Sequence, residues 1–133
     1  MPYSINPDPQ AGLIELQVFG RSSAQEALEA RLELARMARE HHIPRVLVSA
    51  RQLEAVENFS PAILYSFASS FREKGFPAGT RFAIVPTRIS KTLQICCRIA
   101  RETGTRMQAF SDLRLALEWL FERITTSELR ASS

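Results

Sequence analysis

Two short apolar runs, RVLVSA at 45–50 and RFAIVP at 81–86, constrain this chain more than any other feature. Each is short enough for a strand and too continuously apolar for one with a wet side, which suits strands of a sheet covered on both faces. Such a sheet needs helices, and the stretches around these runs supply them.

Ser23-Ala24-Gln25-Glu26 has the form of a capping box, in which the hydroxyl takes an orphan amide and the glutamate reaches back. The helix it opens is predicted to run to about His41. Glu26, Glu29, Glu33, Arg36 and Glu40 fall on one arc, and Ala24, Ala27, Leu28, Leu34, Ala35 and Ala38 on the other. Arg31 stands in the middle of the apolar arc. It is either an arginine lying over the sheet edge with its head in water, or a cation kept for an anionic ligand.

Ser60 as cap and Pro61 in the first turn predict a second helix. Ile63, Leu64, Phe67 and Phe71 form its expected buried stripe, and Gly75 can end it. A third helix is predicted from about Ser90 to Thr103, closed by Gly104. Ser111 is the expected cap of a fourth, with Asp112 at its first helical position, favoured by the helix dipole. That helix is read to about Ile124, burying Leu113, Ala116, Leu117, Leu120 and Ile124, with Trp119 at the edge of the stripe. Strands are expected at 3–5, at 13–20, where Ile14, Leu16 and Val18 alternate with Glu15 and Gln17, and at 106–110. The reading is one α/β domain over 1–124 and a loose tail over 125–133.

This order of elements resembles the STAS domain, the fold of anti-sigma-factor antagonists. GLIELQVFG (12–20), RVLVSARQLEA (45–55) and TRFAIVP (80–86) are similar to strands of its sporulation-antagonist-like branch in bacteria, and MQAFSDLRLALEWL (107–120) resembles its closing strand and helix. The resemblance implies a mixed sheet of about five strands with four helices, in a non-enzymatic regulatory or protein-interaction module. Two departures stand out. Ser49 occupies a place where relatives often carry Asp. The phosphorylated Asp-Ser-Ser/Thr-Gly motif of the antagonists is replaced by Glu57-Asn58-Phe59-Ser60-Pro61, so Ser60 is the one candidate phosphoacceptor there, and it already has a capping role. The likeness of the divergent branch to lipid-binding folds implies an apolar or amphipathic ligand.

Composition narrows the function classes. With 45% apolar and 23% charged residues the 133-residue chain is ordinary for a globular domain. No apolar run reaches about 18 residues, so no membrane span is expected, and the first ten residues lack the form of a secretory signal. Cys96 and Cys97 are adjacent, which does not suit a mutual disulfide. They read as core fillers in a reduced, cytoplasmic protein. Charge is uneven: residues 72–106 carry eight basic and two acidic side chains.

Within that basic stretch, Lys91, Gln94, Arg98 and Arg101 share one arc of the third helix, and Ile95 and Ile99 widen the apolar arc opposite. Ile95, Arg98 and Ile99 are the candidate interaction surface for a protein partner or a second copy in a homodimer, with a lipid or membrane surface as the other candidate. PTRISKT (86–92) lies where a strand ends and a helix begins, a place that attracts anions. Arg88, Ser90, Lys91 and Thr92 could hold the charged end of an apolar or anionic small molecule, the alternative function. No glycine cradle is present. His41-His42 suits a helix C-terminus better than a metal, and no metal or cofactor is expected. Nucleic acid is disfavoured because no aromatic residue alternates with the basic ones. No nucleophile–base pair can be assembled, so an enzyme is not expected.

Overall fold

Strand and helix alternate through the computed structural model, which describes residues 3–57 and 60–122. Strands β1 (Tyr3–Asp8) and β2 (Leu13–Ser23) form an antiparallel hairpin across the proline- and glycine-rich turn. Helix α1 (Ala24–His41) leads to β3 (Arg45–Glu57), α2 (Pro61–Ser69) and a short 3-10 turn (Phe71–Glu73) to β4 (Arg81–Pro86), and α3 (Lys91–Glu102) to β5 (Arg106–Ala109). Helix α4 (Leu113–Leu120) closes the described part. The strands lie in the order β1-β2-β3-β4-β5, with β2 to β5 parallel. The architecture is the mixed five-stranded sheet with four helices that the sequence implied.

The pleat sorts the strand residues onto two faces. Ile14, Leu16, Val46, Phe82 and Met107 join Leu34, Ala38, Phe71, Cys97 and Ala100 in the main core under α1, α2 and α3. Leu47, Ala83 and Val85 face the other way and meet Ala116 and Leu120 of α4. The runs at 45–50 and 81–86 are apolar because both faces are covered.

Several boundaries differ from the prediction. β2 continues past Gly20 to Ser23, because Gly20 takes a positive φ of 59° at a register shift and serves as a bulge rather than a stop. β3 runs to Glu57 instead of ending at Ala50. Its extension pairs with β2 beyond the end of β4, where Arg51 and Gln52 stay exposed, so polar residues are tolerated. The cap of α4 is Asp112, whose carboxylate accepts the Leu115 amide at 2.9 Å, not Ser111. That helix stops at Leu120 rather than about Ile124. Arg45 Nε donates to the Leu120 carbonyl at 3.0 Å, and Arg81 donates to that of Trp119. The two guanidiniums also lie over the rings of Phe121 and Trp119, at 4.7 and 5.3 Å. Cations from the starts of β3 and β4 thus satisfy the helix's last carbonyls. Ile124 and the tail lie outside the described residues.

His42 is the C-cap of α1 in the left-handed region, φ 54° and ψ 45°, and its amide donates to the carbonyls of Ala38 and Arg39. A β-carbon is unfavourable there. His42→Gly should therefore raise the unfolding free energy by about 0.5–1 kcal/mol, read from the urea midpoint.

Candidate functional site

Where α2 sits determines the site. α1 lies on β1 and β2, and α3 lies on β5, but α2 packs chiefly against α3 and not flat on the sheet. This is why Ile63, expected in the buried stripe, is 42% exposed. Leu64 and Phe67 are only half-buried, and Phe71 reaches the core from the 3-10 turn. The middle of the sheet is left loosely roofed, and a cleft of about 880 Å³ opens there. Its floor includes Leu16, Val18, Val48 and Ile84. Leu34 of α1, Leu64 and Phe67 of α2, and Leu93 of α3 form walls.

Into this apolar space the fold brings a few polar groups. Arg31 is 4% exposed. Its Nη1 donates to the Phe67 carbonyl at 2.7 Å, and its guanidinium carbon stands 4.5 Å from the Phe67 ring centre and 4.9 Å from that of Phe71. Its Nε is buried without an acceptor. Burial lowers the guanidinium's pKa from its ordinary value, since desolvation penalises the charged form. Of the two sequence readings of Arg31, the one with its head in water fails. The head is enclosed because Phe67 and Phe71, 36 and 40 residues further on, close over it.

Glu26 also lines the cleft. Half of the predicted capping box is present: Ser23 Oγ accepts the Glu26 amide at 3.3 Å, and the Glu26 carboxylate reaches back to the cap's hydroxyl, Oε1 accepting from Ser23 Oγ at 3.3 Å. The Oε2 atom is buried and has no partner. Sequence reasoning gave Glu26 the cap alone. Nothing in the sequence marks its second oxygen as unsatisfied.

Arg88, Ser90, Lys91 and Thr92 are all exposed; Arg88 and Ser90 of the β4–α3 connection and Thr92 of the first turn of α3 line the rim of the same cleft, and Lys91 does not. Ser90 Oγ is engaged as the α3 cap, accepting the Leu93 amide at 3.1 Å. On α3, Arg98 is exposed, Ile95 is half-buried and Ile99 packs against the main core. Ser60 is exposed and accepts the Ile63 amide at 3.3 Å, while Asn58 and Phe59 before it lie outside the described residues. Ser49 faces away from this cleft. It lines a smaller hollow of about 200 Å³ beside α4, with Leu13, Glu15 and Leu117.

The two cysteines are buried. Burial pushes the Cys96 thiol up to about 12, helped by Cys97, and that of Cys97 up to about 11, partly offset by Arg101. An unfolded thiol titrates near 9. The folded chain therefore holds these protons longer than the unfolded one. Their contribution to stability is intact below about pH 9 and is lost as the pH climbs toward 11–12. Urea midpoints measured from pH 8 to 10.5 should fall, and fall less in the double variant Cys96→Ala/Cys97→Ala.

Comparison with solved structures bears on this architecture. The chain is similar to an uncharacterized protein of the DUF3478 family with a SpoIIAA-like fold, from Shewanella loihica PV-4, at 17% identity and a TM-score of 0.55 over 89% of this chain and 91% of that one. It is also similar to the unphosphorylated anti-sigma factor antagonist SpoIIAA, at 9% identity and a TM-score of 0.54 over 88% and 96%. This chain has the STAS-like fold. No protein-family model matches it, and neither does any curated protein. Among the described residues of this STAS-like domain, no helix is long and apolar enough to cross a membrane.

Proposed function

We propose that this STAS-like domain is a non-enzymatic binding module whose cleft takes up an amphipathic small acid. The apolar body lies against Val48, Ile84 and Leu93, and the anionic end meets Arg31, with Arg88 as a second cation at the cleft. The carrying observation is a cation in the wall of a largely apolar cavity, 4% exposed and held by a backbone carbonyl and two aromatic rings. An unpaired buried charge costs several kcal/mol, and a bound carboxylate would offset that cost through charge-assisted hydrogen bonds. The test is native mass spectrometry of protein purified from its own cells, followed by calorimetric titration with decanoate. A retained acid, or saturable decanoate binding, is expected. A clean mass together with no heat of binding would refute the reading.

A second reading is a regulatory contact with another protein or with a second copy of the chain. It is supported by Ile63 and Tyr65 on α2, 42% and 58% exposed, and by the fold shared with an anti-sigma factor antagonist. The paired variant Ile63→Glu/Tyr65→Glu probes it without entering the core. Unchanged mass in solution and unchanged partner recovery would sink it. Ile99→Glu is a poor probe, since Ile99 packs on the core.

A further inference from the structure

From Ser60 to Arg101 the chain carries seven lysines and arginines and a single acid, Glu73. That stretch builds α2 and α3, which lie on the same face of the sheet and pack on each other, so their outward arcs form one surface. Helix α2, PAILYSFAS, has no charged residue, although its first three residues are exposed. Ile63 and Tyr65 stand on either side of its outward arc, 42% and 58% exposed, with Ala62 and Ser66 between them. Lys91 and Arg98 of α3 are both exposed, two turns apart, and project within about 20° of each other. Arg88 is exposed just before that helix. The two acids on this side, Glu73 and Glu102, come at the far end of the face, beside Arg72, Lys74 and Arg101.

This combination selects a partner. A second copy laid on the face about a two-fold axis would set cations against cations. A nucleic acid would answer the cations and leave Ile63 without an apolar contact. A bilayer containing acidic phospholipids supplies both parts: hydrocarbon below the headgroups for Ile63, a wet boundary that suits a tyrosine ring, and phosphates for Arg88, Lys91 and Arg98. We infer that the α2–α3 face docks on an anionic lipid bilayer, with α2 entering the headgroup boundary and the cations of α3 lying over it. The inference goes beyond the acid-binding reading and does not rest on it, since Ile63, Tyr65, Lys91 and Arg98 are all outside the cleft's lining.

The test is flotation of the full chain with vesicles of phosphatidylcholine alone, or of equal parts phosphatidylcholine and phosphatidylglycerol. The protein should float with the anionic vesicles and not with the neutral ones. Raising the salt from about 0.1 to about 1 M, which shortens the screening length from about 10 to about 3 Å, should release it. Lys91→Gln/Arg98→Gln should weaken binding roughly thirtyfold, about fivefold for each cation. Ile63→Glu/Tyr65→Glu should abolish it, and both pairs are at exposed sites, so a urea melt should match that of the wild type. Equal flotation with both vesicles, or none with either, overturns the inference. So does anionic binding that survives either pair of substitutions. A decanoate titration of the same proteins reads the cleft separately, so either proposal can fail alone. Absent flotation with a solution mass that Ile63→Glu/Tyr65→Glu lowers would assign the face to a protein contact instead.

Discussion

Phe82→Ala is expected to lower the unfolding free energy by about 3–5 kcal/mol. Phe82 is 2% exposed on β4, a central strand. Its ring meets Phe71 edge-on at 5.1 Å and Phe76 at 4.8 Å, and Phe71 in turn meets Phe67 at 5.0 Å. Truncation removes the transfer free energy of the ring and leaves a hole that rigid strands on either side cannot close. It also takes away two aromatic pairs worth about 0.5–1.5 kcal/mol each beyond their burial. Against a stability of about 5–15 kcal/mol for a domain, the loss is large. Urea unfolding should show a midpoint lowered by roughly 2 M with an unchanged slope. Phe82→Leu, which keeps most of the volume, should lose less than half as much. Equal losses from the two would show that the aromatic contacts, not the cavity, dominate.

Arg31→Met is expected to separate binding from folding. Methionine approximates the length of the arginine stem and can lie against Phe67 and Phe71. The substitution removes the hydrogen bond to the Phe67 carbonyl and the cation–π contacts, but it also removes a desolvated charge with an orphaned Nε. These effects oppose each other, so unliganded stability should stay within about 1 kcal/mol of wild type. Acid binding should weaken by at least thirtyfold, the lower end of the 2–5 kcal/mol seen when one member of a buried charge pair is removed. The measurements are a urea melt of each protein and a decanoate titration. Loss of several kcal/mol of stability in the empty protein would make Arg31 a structural tie between α1 and α2 rather than a ligand anchor.

Much of the local structure was legible because it depends on neighbours in sequence. Ser23 and Ser60 cap their helices as their spacing predicts, and Ser90, read only as the start of its helix, caps in the same way, each accepting the amide three residues on. Asp112 shows how fine the limit is: Ser111 and Asp112 are both good caps, and the choice between them turns on one residue of backbone geometry. Gly20 and the polar residues after Ala50 read as strand ends. A bulge and a one-sided pairing carry the strands through them.

The candidate site was less legible. Arg88, Ser90, Lys91 and Thr92 stand out by their place after a strand, though Lys91 falls outside the cleft's lining, and Arg31 by its misfit on an apolar arc. What joins them is the cleft, and the cleft exists because α2 leans on α3 and leaves the sheet's centre loosely roofed. No local pattern encodes that choice, since hydrophobic periodicity says which side of a helix is buried but not against which neighbour. The amino-acid order by itself determined the alternation of strand and helix, the helix starts and the residues able to form a core, because those follow from side-chain chemistry acting over a few positions. Only the tertiary structure decided that Arg31 is enclosed by rings from another helix and that Glu26 keeps an unused oxygen, because burial is a property of what distant segments bring together.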